Sequence, residues 1–472
     1  MHFAIPDTQE LVDESNSKYI SYNVHINGLL HCTLRYRQFH SLHEQLVEKF
    51  GPLIPEFPPK KFFALTATQQ EERRIGLEKY LQIIGQISAI RCSKLFSRFF
   101  FHAQQELAND PLEDESLEMD IYRCKKPMKV SPKLNTGELL KKIYREIYLW
   151  EEYHSYFSLF LVARTIEENP NKNIILRKLE DFESPVLTYK RLVASGIRVV
   201  LTIRKNYWNL ENTDKLFKNS PARHLLVYEM TNDIYNKRVF HPEKSPKKLL
   251  MQHFKYYGYL RFEPCICDYP VSKSKVTVGI GNNEINLWIL DNHNNIELGC
   301  KITRIRCWRI TTLTNVPSAI RWTDSDHFDL ELSFEYLFPD NKLQWITISS
   351  NQAILMSVSL QSMIDELVLK NTNDSKQESE SNDSSWVHVQ KDDNHIVMEN
   401  KLVANIDEVK QEHEKNGVQS NVQKLIDALK SSVPQWTTTK KNKRATVYRE
   451  SIEEYSNIMA NNPFYMINDD VL

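Results

Sequence analysis

A chain of 472 residues, 41% of them hydrophobic, has room for two to four domains, each with its own buried core. Lys and Arg number 60 against 61 Asp and Glu, a formal net charge of −1, so no global field draws the molecule to nucleic acid or to an acidic bilayer, and any anion binding must be local. The 11 glycines argue against nucleotide folds built on Gly-rich phosphate loops, and seven cysteines without ladder spacing read as reduced cytosolic thiols. Cys265-x-Cys267 has no second pair at zinc-like distance, so no metal is expected. Met1-His2-Phe3-Ala4-Ile5-Pro6 lacks the basic and long apolar regions of a signal peptide, and no run approaches the roughly 18 apolar residues of a membrane span.

In chain order, Ile20, Tyr22, Val24 and Ile26 alternate with polar residues, which predicts a strand; Asn27-Gly28 supplies a hairpin turn, and the return strand covers about Leu29 to Tyr36. Phe39, Leu42, Leu46 and Phe50 recur at helical spacing up to the stop at Gly51-Pro52. Pro55 to Lys61 must be extended, because proline fixes φ and lacks an amide hydrogen. Helices are predicted over Thr68–Ile84 and Ser93–Ala108, the second with Leu95, Phe96, Phe99 and Phe100 as its packing face. After an acidic linker from Asp110 to Ser116, a helix is expected around Leu139, Leu140 and Ile143, strands over Tyr156–Val162 and Val199–Ile203, and helices over Ala222–Tyr235 and Pro246–Tyr257. Beyond Asp268 the pattern turns to strands: Val276–Ile280, Ile285–Leu290, Lys301–Thr311, Phe328–Tyr336 and Leu343–Ser349, with Asn282-Asn283 as a turn. A helix over Asn351–Lys370 follows. From Asn371 the composition is dominated by Ser, Asn, Asp, Glu and Lys, too poor in apolar surface to offset ordering entropy, so a disordered tail is expected. Within it, Gln419–Lys430 has an amphipathic pattern.

Three stretches then converge. Arg35-Tyr36 close a strand, Lys60 follows Pro58-Pro59, and Arg73-Arg74 lie in the first turns of a helix. An arginine fork holds phosphate through parallel charge-assisted bonds, and a neighbouring tyrosine offers a flat wall for an inositol ring. Singly, each is an ordinary exposed basic residue; the order around a proline-rich loop is more specific. Arg35-Tyr36-Arg37-Gln38-Phe39, Pro58-Pro59-Lys60 and Arg73-Arg74-Ile75-Gly76-Leu77-Glu78-Lys79-Tyr80-Leu81 resemble the three motifs of PX (phox-homology) domains. That resemblance implies a three-stranded sheet with a helical half, and phosphatidylinositol 3-phosphate as ligand. Arg35 would take the 3-phosphate, Tyr36 the ring, Lys60 the 1-phosphate, and Arg73, rather than Arg74, the ring hydroxyls. Phe62, Phe63 and Leu65 would either dip into the lipid interface or pack on the helix that starts near Thr68.

Tyr22-Asn23-x-His25-x-Asn27-Gly28-x-Leu30-His31-Cys32, Tyr156 to Val162, Tyr257-Gly258-Tyr259-Leu260-Arg261-Phe262, Arg306-Cys307-Trp308-Arg309 and Leu360 to Leu367 extend the likeness to the PX-FERM branch of the sorting nexins. The implied fold is α+β and multidomain: a PX domain at 1–109, a ubiquitin-like F1 lobe at 110–206, a small helical F2 lobe at 207–268, a PH/PTB-like F3 lobe at 269–371, and a disordered tail at 372–472. In F3 an extended peptide would add to the edge strand Arg304–Thr311 beneath the final helix. By the resemblance, Trp308, Ile364 and Val368 would receive Asn-Pro-x-Tyr motifs of receptor tails; all three are also plausible core residues. The chain carries such a motif itself, Asn462-Pro463-Phe464-Tyr465, which is expected to fold back and compete with cargo. Asp469, Asp470 and Leu472 resemble the acidic tail by which this family engages the retriever recycling complex, with Val471 where an acid is expected.

The function implied is a non-enzymatic, monomeric cargo adaptor without cofactor, in the cytoplasm and on the cytosolic face of early and recycling endosomes. No His-x-Lys phospholipase repeat and no kinase motif set occurs, and Thr33-Leu34-Arg35 after His31-Cys32 is not a phosphatase loop. The alternative is a small-GTPase or cytoskeletal effector acting through the FERM lobes.

Overall fold

The computed structural model describes residues 1–13, 16–61, 65–108, 113–122, 127–164, 173–238, 256–290, 295–313, 328–339, 342–377, 386–392, 395–400 and 446–449. In the first unit the long strand β3 (Lys18–Ile26) pairs on one side with two short strands, β1 (Phe3–Ala4) and β2 (Thr8–Val12), and on the other with β4 (Leu29–Arg35). Pro6 lies between β1 and β2; it cannot donate to a ladder, so one edge strand is broken into two and the sheet is in effect three-stranded. Asn27 and Gly28 both have positive φ, 49° and 86°, the backbone of a two-residue hairpin turn. Helix α1 (Tyr36–Phe50) buries Phe39, Leu42 and Leu46 and ends at Gly51, with φ of 52°. Helices α2 (Ala67–Gln86), α3 (Ser88–Arg91) and α4 (Lys94–Glu106) complete the unit around Tyr22, Phe39, Leu77, Tyr80, Phe96 and Phe100. Thr66 and Gln69 form a reciprocal capping box at the start of α2.

The second unit has β5 (Glu115–Leu117) paired with β6 (Met128–Val130), then α5 (Thr136–Glu146), β7 (Phe157–Arg164), β8 (Asn173–Lys178), α6 (Pro185–Ala194) and β9 (Val199–Lys205). β7 is flanked by β8 and β9, and a parallel bridge from Met119 to Leu201 adds the segment after β5. α7 (Glu211–Lys218) and α8 (Ser220–Tyr235) pack their Leu216, Ala222, Leu225 and Leu226 into the same core. Most of the helix predicted over Pro246–Tyr257 lies outside the described residues; Tyr256 and Tyr257 form a turn.

The third unit is built from β10 (Leu260–Arg261), β11 (Cys265–Cys267), β12 (Ser274–Gly281), β13 (Glu284–Leu290), β14 (Asn295–Lys301), β15 (Ile305–Thr312), β16 (Leu330–Leu337), β17 (Leu343–Ser349) and α9 (Ala353–Gln377). The order is β14-β13-β12-β11-β17-β16-β15, with β10 also on β12. A single strand over Lys301–Thr311 is corrected here. β14 and β15 stand at opposite ends of that order, so the chain must turn the corner between them, and a 3₁₀ turn at Ile302–Arg304 with Ile302 buried does so. Cys265 and Cys267 are buried on β11. Within the tail, β18 (Trp386–Asp392) pairs with β19 (His395–Asn400), and β20 (Thr446–Arg449) lies antiparallel on the outer edge of β15, with Arg309 opposite Arg449 and Thr312 opposite Thr446.

The units interlock. Arg177 of β8 donates to the Ile26 carbonyl at 2.9 Å and to Glu183, both side chains being buried, and Asn27 donates to Glu180 at 2.8 Å. Gln104 of α4 bonds Thr188 and accepts from the Ser184 amide, while Phe182 inserts among Phe96, Phe100 and His31. α9 joins all three: Gln352, just before it, donates to Ile175 at 2.9 Å, Asp365 pairs with Arg91 at 3.2 Å, and Glu366 accepts from the amides of Trp208 and Asn209 at 2.6 and 3.0 Å.

Candidate functional site

Arg35 is the last residue of β4 and the N-cap of α1; its extended backbone (φ −84°, ψ 154°) turns the chain, and its amide donates to Gln38 Oε1 at 2.8 Å. The junction points the guanidinium out of the sheet end, where it lies over the Tyr19 ring, 3.2 Å from the centroid, with Asp13 Oδ2 at 3.9 Å. Tyr36 opens the helix. Its hydroxyl donates to the Pro58 carbonyl at 2.8 Å, tying the proline-rich loop to the strand end. The loop also lies tight on α2, since a Cβ on Gly76 would meet the Pro58 ring at 3.0 Å. Lys60, two residues further along the loop, is exposed.

From the other side, α2 brings Arg73 onto the Tyr36 ring, 4.3 Å from its centroid, and Arg73 Nη2 is buried without a hydrogen-bond partner. A buried donor left unmade costs roughly 1–3 kcal/mol, a state that suits a group awaiting an oxygen ligand. Arg74 faces the opposite way: it is buried, donates to the Ile5 carbonyl and pairs with Glu71 at 2.8 Å and Glu78 at 3.4 Å. Burial pushes the Tyr22 and Tyr36 hydroxyls up, against the pull of the Arg73 guanidinium, so both remain neutral at physiological pH. Two guanidiniums are thus each braced on a tyrosine ring, Arg35 on Tyr19 and Arg73 on Tyr36, the residue next to Arg35. Leu65 is half-buried; Phe62 and Phe63 lie outside the described residues.

Sequence reasoning did not single out Asp13, Tyr19 or Tyr22 for this site. Tyr19 and Tyr22 belong to the predicted β3 region, but their relation to Arg35 depends on register. A two-residue hairpin alone would set Ile20 opposite Arg35; an extra residue, His31, is accommodated between the Val24–Cys32 and His25–Leu30 pairs, so Ser21 stands opposite Arg35. Without that bulge every partner of Arg35 would be offset by one.

The groove residues divide differently. Trp308 is 1% exposed, and its Nε1 donates to Ser357 Oγ at 3.0 Å, pinning α9 to β15. Ile364 packs partly buried against the same core, and the side chain of Val368 lies outside the description. The edge of β15 beside them is the one that β20 occupies. Next to Trp308, Arg309 stacks on Trp345 at 4.5 Å with its Nε buried and unbonded. Asn462, Pro463, Tyr465, Asp469, Asp470 and Leu472 lie outside the described residues.

Among the described residues no cluster of His, Cys, Asp and Glu suits a metal ion, and no helix is long and apolar enough to cross a membrane.

Comparison with known proteins agrees with this architecture. A PX domain profile matches residues 22–103, one described as the F1 lobe of the FERM domain of sorting nexins 17, 27 and 31 matches 118–208, and one described as the sorting nexin 17 FERM C-terminal domain matches 258–368. Sorting nexin-17 of Danio rerio is 39% identical over 392 residues, and that of Homo sapiens 37% over 391, each alignment covering 78% of this chain and 82% of the relative. Human sorting nexin-31 is 32% identical over 391 residues, covering 78% of this chain and 86% of its own. The chain belongs to the sorting nexin-17 family of PX-FERM sorting nexins.

Proposed function

We propose that this chain is an endosomal sorting adaptor that holds phosphatidylinositol 3-phosphate with its PX domain and Asn-Pro-x-Tyr motifs of receptor tails with F3, diverting receptors from degradation into recycling. The observation that carries the lipid reading is the pair of tyrosine-braced guanidiniums, Arg35 on Tyr19 and Arg73 on Tyr36, with Arg73 Nη2 unbonded. Arg35 takes the 3-phosphate, Tyr36 packs under the ring, Arg73 bonds its hydroxyls and Lys60 meets the 1-phosphate. Phe62, Phe63 and Leu65 extend the contact into the lipid interface.

For cargo, the backbone edge of β15 is the docking strand; its pairing with β20 supports its capacity to accept an extended segment. Trp308 serves this site from beneath, by holding α9 to β15, while Ile364 and Val368 line the helix side. The tail motif at Asn462-Pro463-Phe464-Tyr465 competes for the same edge, and Asp469, Asp470 and Leu472 engage a retriever-type complex. The PX unit and F1 divide near 109 and F1 and F2 near 206, while F3 extends beyond 269–371 to take in β10, β11 and the end of α9.

The test is sedimentation with vesicles containing phosphatidylinositol 3-phosphate, with and without an Asn-Pro-x-Tyr peptide. Charge-assisted bonds of about 1.5–3 kcal/mol predict that Arg35→Ala weakens vesicle binding at least tenfold and leaves peptide affinity in solution unchanged. Vesicle binding indifferent to Arg35 and to the 3-phosphate would reject the lipid reading.

A further inference from the structure

Asp13 places an acid in a pocket otherwise built for an anion. Its carboxylate is held there by the hairpin between β2 and β3: the Asp13 amide donates to the Ser17 carbonyl at 3.0 Å, and Asp13 Oδ1 accepts from the Ser17 amide at 3.0 Å. Oδ2 lies 3.9 Å from the Arg35 guanidinium, and neither side chain is fully exposed, at 30% and 24%. The Tyr19 ring covers one face of the guanidinium, so an entering phosphate must share the remaining side of Arg35 with a carboxylate that the hairpin keeps in place. Lys61 adds little free charge, because Glu72 stands 3.9 Å from it.

We propose that Asp13 sets the phosphoinositide selectivity of this site, by limiting the positive charge it offers to a headgroup. The inference rests on the headgroup reading above. Arg35, Lys60 and Arg73 bring three positive charges and Asp13 removes one. A ring phosphate carries about −1.5 to −2 at neutral pH and the phosphodiester about one more, so a monophosphate headgroup already outweighs the net of about +2 that remains. A second ring phosphate beside the first adds a similar charge, and the carboxylate of Asp13, 3.9 Å from the Arg35 guanidinium, opposes its approach. Asp13 thus disfavours every anion somewhat and the more highly charged ones most, a discrimination by repulsion.

Asp13→Asn tests this with little risk to folding, since the amide oxygen can still accept from Ser17. Vesicles of phosphatidylcholine carrying phosphatidylinositol 3-phosphate, a 3-phosphorylated bisphosphate or no phosphoinositide would be sedimented with full-length wild type, Asp13→Asn and Arg35→Ala. Asp13→Asn is expected to bind the monophosphate about two- to fivefold more tightly, the scale of one partly exposed ion pair. Binding to the bisphosphate should rise by a clearly larger factor, and both gains should shrink at high salt. An unchanged ratio between the two lipids in Asp13→Asn overturns the inference while leaving the headgroup reading intact. Wild type that binds none of the phosphoinositide vesicles overturns both. Displacement of wild type by inorganic phosphate as effectively as by soluble headgroup would mark a general anion site, and would equally end the selectivity claim.

Discussion

Arg73 and Arg74 are neighbours on α2 with opposite roles. One helical step of about 100° separates them, enough to put Arg73 over Tyr36 and Arg74 against Ile5, Glu71 and Glu78. Of the two, Arg73 lies on the ring of Tyr36, next to Arg35 in the chain, while Arg74 is held by contacts within the unit. The same helix presents Gly85 to the N-terminal strand, where a Cβ would lie 2.6 Å from the Phe3 ring. Gly85→Ala should therefore destabilise the chain by about 1–3 kcal/mol, an overpacking cost, despite alanine's better helix propensity. A lowered denaturant midpoint at unchanged slope would report it; a gain in stability would mean that Phe3 moves aside freely.

Among the elements, α9 has the apolar side its sequence predicts, but its polar side does as much. Glu366 satisfies two backbone amides at the entrance to α7, and Asp365 reaches Arg91 of α3. Neither role is visible in a helical wheel, because Trp208 and Asn209 are more than 150 residues away in sequence. Glu366→Ala leaves both amides without that acceptor and is expected to cost about 1–3 kcal/mol. Faster hydrogen exchange over residues 208–218, with the strands of the third unit unaffected, would localise the loss. Strands were legible where alternation was long, as in β3, β12 and β13, and illegible in β1, β5, β6 and β11, which are two or three residues each and too short to show a period.

At the scale of the whole molecule, the PX unit and the FERM lobes keep separate cores but are packed against one another. Phe182 belongs by sequence to the second unit, yet it packs in the first, against Phe96, Phe100 and His31. Phe182→Ala should cost about 3–5 kcal/mol and lower protection in β4 and α4 of the PX unit, with unfolding still a single transition. Two separated transitions in the wild type would show instead that the units fold independently. Buried Arg177 and Glu183 reinforce the same seam, and the hairpin tip at Asn27 is joined to it through Glu180.

Local pattern determined much of this protein: the Asn27-Gly28 hairpin, the proline-rich excursion, the helices around it and the strand-rich third unit. These follow from periodicity, proline and glycine geometry and charge, which act over a few residues. Tertiary structure alone decided the rest. The bulge at His31 sets which residues flank Arg35, the strand order splits Lys301–Thr311 at a corner, Trp308 is buried under α9, and Asp13 is set beside Arg35, 22 residues away. Those outcomes depend on register and on contacts between distant segments, whose energies become available only once the chain has closed on itself.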